Sequence, residues 1–563
     1  MAKVVSIGAQ YFDKLREKGA FYVDKTYFIK EWWEREDDVT LITRPRRFGK
    51  TLNMSMTECF FSNKYAGRGD LFEGLDIWKE EKYRKLQGTY PVIFLSFAGV
   101  KTVDYETTRY AINHLISQIY SDHSYVFKDE KINEDDRKYA SLVSREMTDD
   151  VAHSSVNILC KCLQQYYGKK CIVIIDEYDT PMQEAWINGY WDEMAAYIRG
   201  IFNNTFKTNP YLERGLMTGI TRVSKESIFS DLNNLNVVTT TSDEYADCFG
   251  FTEDEVFKAM DDQGIDPSEK AEVKKWFDGF TFGKMKEIYN PWSVTSYLDK
   301  KEFDTYWANT SSNSLVGKLI RKGDEGLKYD FKRLLEGEEI ETAIDEQIVF
   351  NRLEDGGADA VWSLLLASGY LKIDWKKRDA ETFLYGLSIT NYEVNIMFRT
   401  MIRGWFKKDG NFDNFIASML RGDDYEMEVY MNRVALNTFS SFDTGTSPSG
   451  EKHPERFYHG FVLGLMVDKS KDYIVKSNRE SGLGRYDVVM EPKNRDDVAV
   501  IMEFKVYDEK RGEKNLEDTA ESALKQINEK KYDTDLLSRG IPEEHIYKYG
   551  FAFEGEKCLI KKG

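Results

Sequence analysis

No run of about 18 apolar residues occurs in the 563-residue chain, so the sequence offers no helix able to cross a bilayer. Cysteine is scarce. The six residues, Cys59, Cys160, Cys162, Cys171, Cys248 and Cys558, are scattered, and the one close pair is spaced C-x-C without a second pair, which argues against a disulfide framework or a zinc site. The first residues lack a continuous apolar segment and a small-residue cleavage site, so no secretion signal and a cytoplasmic location are expected. An excess of positive charge is also missing. A formal charge of −18 opposes bulk electrostatic coating of nucleic acid, although a local groove could still attract phosphates. There is no internal repeat, sustained heptad or low-complexity tract.

What is present is core-forming material. Hydrophobic residues make up 41% and aromatics 14%, which excludes a disordered chain, and the length suggests roughly three or four domains. In the first third, apolar strands alternate with amphipathic stretches, the pattern of an α/β domain with a mainly parallel sheet. Val39–Thr43, Val92–Phe97, Cys171–Ile175 and Gly215–Thr218 read as strands buried on both faces. From about Asp254 the pattern becomes helical and loop-rich. Residues 440–450, rich in Ser, Thr and Gly, read as a linker, and a second α/β unit follows. The expected division is 1–250, 251–440 and 450–563. Residues 451–563 hold 21 Lys and Arg against 23 Asp and Glu, so most of the negative charge lies elsewhere.

Between a buried strand and a helix lies Thr43-Arg44-Pro-Arg46-Arg47-Phe48-Gly49-Lys50-Thr51. Backbone N–H groups of such a loop, with the helix N-terminus, can cradle phosphates. Lys50 would reach the β/γ phosphates and Thr51 would hold Mg²⁺, although Arg44 stands where the pattern G-x-x-x-x-G-K-[ST] has its first glycine. About 125 residues on, an apolar strand ends in Asp176-Glu177. There Asp176 can bind Mg²⁺ through water and Glu177 can polarise the attacking water. The bland alternative is a buried strand capped by solvated acids, which the upstream Gly-Lys-Thr disfavours. Thr218-Gly-Ile-Thr221-Arg222 follows the next strand; Arg222 could neutralise developing charge or make a surface or interdomain salt bridge. Arg46 and Arg47 could equally be positioning charges of the loop.

At the other end, Asp487 lies on one candidate strand and Glu503-Phe504-Lys505 on the next. Alternation puts Glu503 and Lys505 on one face, and a neighbouring strand can bring Asp487 beside them. Two acids can hold a hard divalent cation while the ammonium orients or helps deprotonate a water, as phosphodiester hydrolysis requires. The competing reading is an ordinary hairpin with a cross-strand Glu-Lys pair worth only tenths of a kcal/mol. The order of flanking elements weighs against it: helix Glu455 to Met466, strand Tyr473 to Lys476, a Gly482/Gly484 turn, the two acid-bearing strands, then a helix carrying Gln526.

Phe21-Tyr-Val-Asp24-Lys25-Thr26, the Arg44–Thr51 loop, Val173–Asp179 and Gly219–Ser230 together resemble the bacterial AAA-ATPase-like family over roughly the first 300 residues. In that family the Arg-Pro-Arg-Arg-Phe-Gly-Lys loop is usual. The resemblance implies an additional-strand P-loop NTPase using ATP and Mg²⁺. Its expected nucleotide contacts are Arg46 to Thr51, Asp176 and Arg222, and its expected catalytic acid is Glu177. Asp24 and Lys25 belong to the matching segment with a structural or nucleotide-contacting role.

Members of that family often carry a C-terminal PD-(D/E)XK nuclease superfamily domain, and Ser477–Asp487 with Glu503-Phe-Lys505 resembles it over about residues 450–555. This implies a restriction-endonuclease-like α/β fold in which Asp487 and Glu503 ligate Mg²⁺ or Mn²⁺, the Phe504 carbonyl adds a ligand and Lys505 positions the water. Gln526 is expected to touch the substrate backbone. Some superfamily members have Q-x-x-x-Y here, whereas Tyr532 lies six residues after Gln526. Glu455 and His459 are weighed as helix ligands against solvated or core-polar roles.

The leading expectation is an ATPase coupled to a metal-dependent nuclease acting on DNA or RNA, in defence or mobile-element biology, with a homo-oligomer among the arrangements allowed. Two alternatives stay open: a nucleotide-switched interaction or nucleic-acid-binding protein whose nuclease-like domain does not cut, and a signalling NTPase that holds nucleotide without turnover.

Overall fold

The computed structural model describes residues 3–221, 228–229, 232–308, 316–317, 319–320, 325–345, 357–379, 382–407, 412–439, 472–481, 484–509, 512–554 and 557–563. They fall into two compact units, Met1–Ser311 with Glu339–Val394, and Ser312–Glu338 with Asn395–Gly563. Among the described residues no helix is long and apolar enough to cross a membrane.

The first unit is built on a five-stranded, all-parallel sheet: β1 Val39–Thr43, β2 Val92–Ser96, β3 Cys171–Asp176, β4 Leu212–Gly219 and β5 Leu235–Val238, in the order β2-β3-β4-β1-β5. Every residue of β1 and β3 is buried, as their continuous apolar runs require, and each such Val or Ile contributes about 1.5–3 kcal/mol of burial. β4 lies between the strand that feeds the phosphate loop and the strand that ends in Asp176. That inserted strand is the additional strand expected from the sequence.

Beyond Gly250 the chain is mostly helical, with two small antiparallel sheets. One contains β6 Phe251–Thr252, β7 Phe280–Phe282 and β8 Met285–Tyr289; the other contains β9 Ile340–Ala343, β10 Leu371–Asp379 and β11 Thr382–Ile389. The Asn290-Pro291 signal starts a helix: Asn290 Oδ1 accepts from the N–H groups of Trp292 and Ser293, with proline pre-set in the first turn of Pro291–Lys300.

In the second unit a five-stranded mixed sheet runs in sequence order, β12 Tyr473–Ser481, β13 Gly484–Pro492, β14 Ala499–Val506, β15 Ile546–Glu554 and β16 Lys557–Lys562. Only β14 and β15 pair in parallel, joined by a crossover through the helix Leu516–Glu529. β14 is central and covered on both faces. Val500, Met502 and Phe504 share a core with Phe415, Met419, Met427 and Met431 of the helices Phe412–Arg421 and Asp424–Phe439. Ala499 and Ile501 share one with Ile527 of the crossover helix and Tyr532 just beyond it. Edge strand β16 is capped by Asn432, whose Nδ2 donates to Cys558 O at 2.7 Å and whose Oδ1 accepts from Cys558 N at 2.8 Å. The expected linker 440–450 and the expected helix with Glu455 and His459 lie outside the described residues.

Candidate functional site

One constellation sits at the carboxyl ends of β1, β3 and β4, where open parallel sheets bind ligands. β1 delivers the chain through Arg44–Gly49 into the helix Lys50–Phe61. Gly49 turns the chain at φ +80°, and Arg47 is also left-handed at +66°, a conformation costly for a residue with a Cβ. Lys50 is buried, and its Nζ donates to the carbonyls of Arg44 at 3.0 Å and Pro45 at 2.9 Å. Burial lowers the pKa of this ammonium, while Glu177, Asp176 and Asp179 oppose the shift. Thr51 follows, half-buried.

Asp176 is wholly buried at the end of β3. Its Oδ1 accepts from Thr218 Oγ1 at 2.6 Å, and its buried Oδ2 has no hydrogen-bond partner among the described residues. A buried carboxylate oxygen in that state is costly, and its chemistry suits a hard cation or the water of one. Glu177 is half-buried at φ +52°, with Thr180 Oγ1 donating to its Oε2 at 3.4 Å. Lys50, Asp176, Glu177 and Thr218 therefore share one rim of the sheet; Arg222 lies outside the described residues.

Sequence reasoning missed two members of this rim. Asp179, 1% exposed, accepts through Oδ2 from Ile220 N, Thr221 N and Thr221 Oγ1, each at 3.0 Å, and from Gln183 Nε2 at 2.8 Å. It ties the loop after β3 to the loop after β4. Its proximity to Asp176-Glu177 was the available signal. Arg44 is the other. Its wholly buried guanidinium donates to the carbonyls of Thr43 (3.0 Å), Thr239 (2.6 Å) and Glu244 (3.1 Å) and lies 4.5 Å from the Phe282 ring centroid. Burial pulls its pKa down to about 10. The residue standing in the glycine position thus anchors the loop to the segment after β5.

Of the other loop residues, Arg46 and Arg47 are exposed, and the Arg47 guanidinium lies 4.2 Å from the Trp292 ring centroid. The Phe48 side chain is buried against Phe280 and Phe282 at 4.7 and 5.4 Å, leaving its backbone to serve the loop. Lys25 pairs with Glu255 at 2.6 Å, and Asp24 accepts from Thr26 N and Asp76 N. Both hold the N-terminal segment in place.

In the second unit, the β13–β14 ladder runs from Met490–Val500 to Val488–Met502, and one step further the register brings Asp487 level with Glu503. Asp487 Oδ2 accepts from Phe504 N at 2.8 Å, standing in for the next ladder bond. Alternation along β14 puts Glu503 and Lys505 on the face of Ile501, beneath the helix Leu516–Glu529. Glu503 is 4% exposed and Lys505 is half-exposed, so the acid is sheltered while the ammonium meets solvent. Gln526 reaches down from the helix, its Nε2 donating to Glu503 Oε1 and to Tyr532 Oη at 3.2 Å.

The six-residue spacing brings Tyr532 to Gln526 because the helix ends in a left-handed turn. Lys531 has φ +53°, and Tyr532 N donates back to Ile527 O at 3.2 Å. No glycine or asparagine announces that turn. Burial raises the Tyr532 pKa against the hydrogen bond from Gln526, and Glu503 and Asp487 add to the rise, so the hydroxyl keeps its proton. The donor set of two neighbouring carboxylates with the Phe504 carbonyl fits a hard divalent cation.

The family model described as "Predicted AAA-ATPase" matches residues 6–229, and that of the PD-(D/E)XK nuclease superfamily matches residues 453–563. A protein of Azotobacter chroococcum mcd 1, described as "Uncharacterized protein in vnfD 5'region", is 27% identical over 572 residues, covering 99% of this chain and 98% of its own length. The two matches thus fall in the order that the motifs imply, an AAA-ATPase-like match ahead of a C-terminal PD-(D/E)XK nuclease superfamily match.

Proposed function

We propose that the protein binds and hydrolyses ATP at the Lys50 rim and cleaves phosphodiester bonds of DNA or RNA at the Asp487–Glu503 face. Nucleotide handling is assigned to residues 1–250 and cleavage to 450–563, with 251–440 between them. What supports this reading is that one chain carries two clusters of suitable chemistry: Lys50 with Asp176 and Glu177 at the carboxyl ends of the parallel strands, and Asp487 level with Glu503 across a strand pair. At the first, Lys50 and the loop amides bind the phosphates, Arg46 and Arg47 screen their charge, Thr51 and Asp176 hold Mg²⁺, and Glu177 orients the attacking water. Arg222 is retained as a candidate contact to the phosphates. At the second, Asp487 and Glu503 hold Mg²⁺ or Mn²⁺, which would supply positive charge to the reacting phosphate oxygens. Lys505 orients the water, and Gln526, held between Glu503 and Tyr532, contacts the substrate backbone.

Six free, buried cysteines suit a reducing compartment, and we place the protein in the cytoplasm, acting in defence or mobile-element maintenance, with a homo-oligomer allowed. The test is ATP turnover and strand scission by the full chain with Mg²⁺ or Mn²⁺. Lys50→Ala and Glu177→Gln should abolish turnover, and Lys505→Ala should abolish scission. Nucleotide binding without scission in any metal would instead favour a switched nucleic-acid-binding protein.

A further inference from the structure

The phosphate loop is gripped from a side that the parallel sheet does not supply. Pro45 lies against Gly369, where a Cβ would come within 2.9 Å of its Cγ, and Phe48 is wedged between Phe280 and Phe282. Above them Trp307, 1% exposed, packs 5.5 Å from Phe280 and 5.4 Å from Tyr370, and its Nε1 donates to the Arg46 carbonyl at 3.1 Å. In a trans peptide the C=O and the following N–H point opposite ways. Pinning Arg46 O toward Trp307 therefore turns Arg47 N–H to the other side of the loop.

Trp307 is itself held by an acid. Glu393 is wholly buried; its Oε1 accepts from Trp307 N at 2.5 Å and Ala308 N at 3.2 Å, and its Oε2 accepts from Ser293 Oγ at 2.8 Å. Among the described residues no cation is a partner of this carboxylate, and Asp304 is an adverse charge nearby. A buried carboxylate without a counter-ion is costly to keep, and an apolar residue would fill the same space at less cost. Its position calls for a reason, and the bond it secures ends on the phosphate loop.

We infer that Trp307 and Glu393 are positioning residues for nucleotide: Glu393 fixes the 307–308 backbone, and the indole N–H then holds the Arg46–Arg47 peptide with its N–H directed to the phosphates. This rests on the nucleotide-binding reading above. It assigns to residues outside the matched segment 6–229 a share in phosphate recognition.

The experiment measures the Kd of a fluorescent ATP analogue with Mg²⁺, the KM and kcat of turnover, and the melting temperature for the full chain and three variants. Trp307→Phe keeps the ring and deletes the donor. Glu393→Leu keeps the bulk and deletes the acceptor of the Trp307 and Ala308 N–H groups. Trp32→Phe is the control, since Trp32 is equally buried and its Nε1 has no partner among the described residues. Loss of one hydrogen bond to the loop should weaken binding by Trp307→Phe about fivefold, with KM rising in step and kcat held within about twofold. Glu393→Leu should weaken binding to a similar extent, and Trp32→Phe should stay within about twofold of the parent. Unchanged affinity in Trp307→Phe, or an equal loss in Trp32→Phe, overturns the assignment alone. A parent chain that binds no nucleotide overturns both the assignment and the reading beneath it.

Discussion

Gly550 on β15 stands opposite Glu503 on β14, and the helix Leu516–Glu529 passes directly over it. A Cβ there would lie 2.3 Å from the Ala520 carbonyl oxygen, 3.1 Å from Leu524 Cγ and 3.2 Å from Ala523 Cβ. Ordinary contact begins at 3.4 Å, so Gly550→Ala forces the helix back by about 1 Å, because a backbone oxygen cannot swing aside as a side-chain tip can. Overpacking of this kind costs about 2 kcal/mol, or roughly 4–8 °C in the melting of the second unit. The same retreat draws Gln526 from Glu503 and Tyr532, so scission should fall more steeply than stability. Thermal unfolding and a cleavage assay on the same samples separate the two effects. Gly99→Ala is the control, since its Cβ would meet nothing within 4 Å and its φ is not left-handed. A Gly550→Ala protein that melts and cuts as the parent does would refute the claim that close helix–sheet approach builds this site.

Three further outcomes are expected. Arg44→Gly restores the G-x-x-x-x-G-K-T pattern, yet it should weaken nucleotide binding and destabilise the first unit by about 3–5 kcal/mol, because buried carbonyls at Thr239 and Glu244 lose their donor and a cavity opens; titration with nucleotide and urea unfolding check it. Asp179→Ala strands the N–H groups of Ile220 and Thr221, for a loss of about 2–4 kcal/mol in unfolding and a fall in ATP turnover of roughly tenfold in steady-state assays. Burial raises the Glu393 carboxyl to about 7 from an ordinary 4.5, and Asp304 adds to the rise. The folded state thus holds this proton more tightly than the unfolded state. The stabilisation is complete below pH 4.5 and is lost as pH rises through 7, about 3 kcal/mol in all, and Asp278, raised to about 6 by burial, adds a loss of the same sign. Urea unfolding from pH 5 to pH 8 should show the decline, and Glu393→Gln should flatten it.

The parts of this molecule legible in its sequence are those whose signal is local. Continuous apolar runs marked β1 to β4, and Asp176-Glu177 at the end of one run marked the rim, because a strand buried on both faces needs an unbroken run and leaves its polar chemistry to its end. The alternation in Ala499–Val506 put Glu503 and Lys505 on one face. Less legible were features that depend on distant partners. Arg44 read as an irregular phosphate-loop residue, whereas its role is set by carbonyls some 200 residues away. Trp307 and Glu393 carry no motif at all. The spacing of Tyr532 from Gln526 was misleading because a lysine, rather than a glycine, adopts the left-handed turn that closes the helix. Nothing local in Phe412–Phe439 announces that those helices cover one face of the C-terminal sheet, since an amphipathic face states that it must be buried without stating against what.

On the function proposed above, one chain carries both a nucleotide rim and a phosphodiester-cleaving face. The most direct measurement incubates the full chain with Mn²⁺ or Mg²⁺, with and without ATP, against labelled DNA and RNA, beside Lys505→Ala and Lys50→Ala. Scission by the parent is expected, with none by Lys505→Ala and an altered dependence on ATP in Lys50→Ala. Intact substrates under every metal, or equal cutting by the parent and Lys505→Ala, would contradict it.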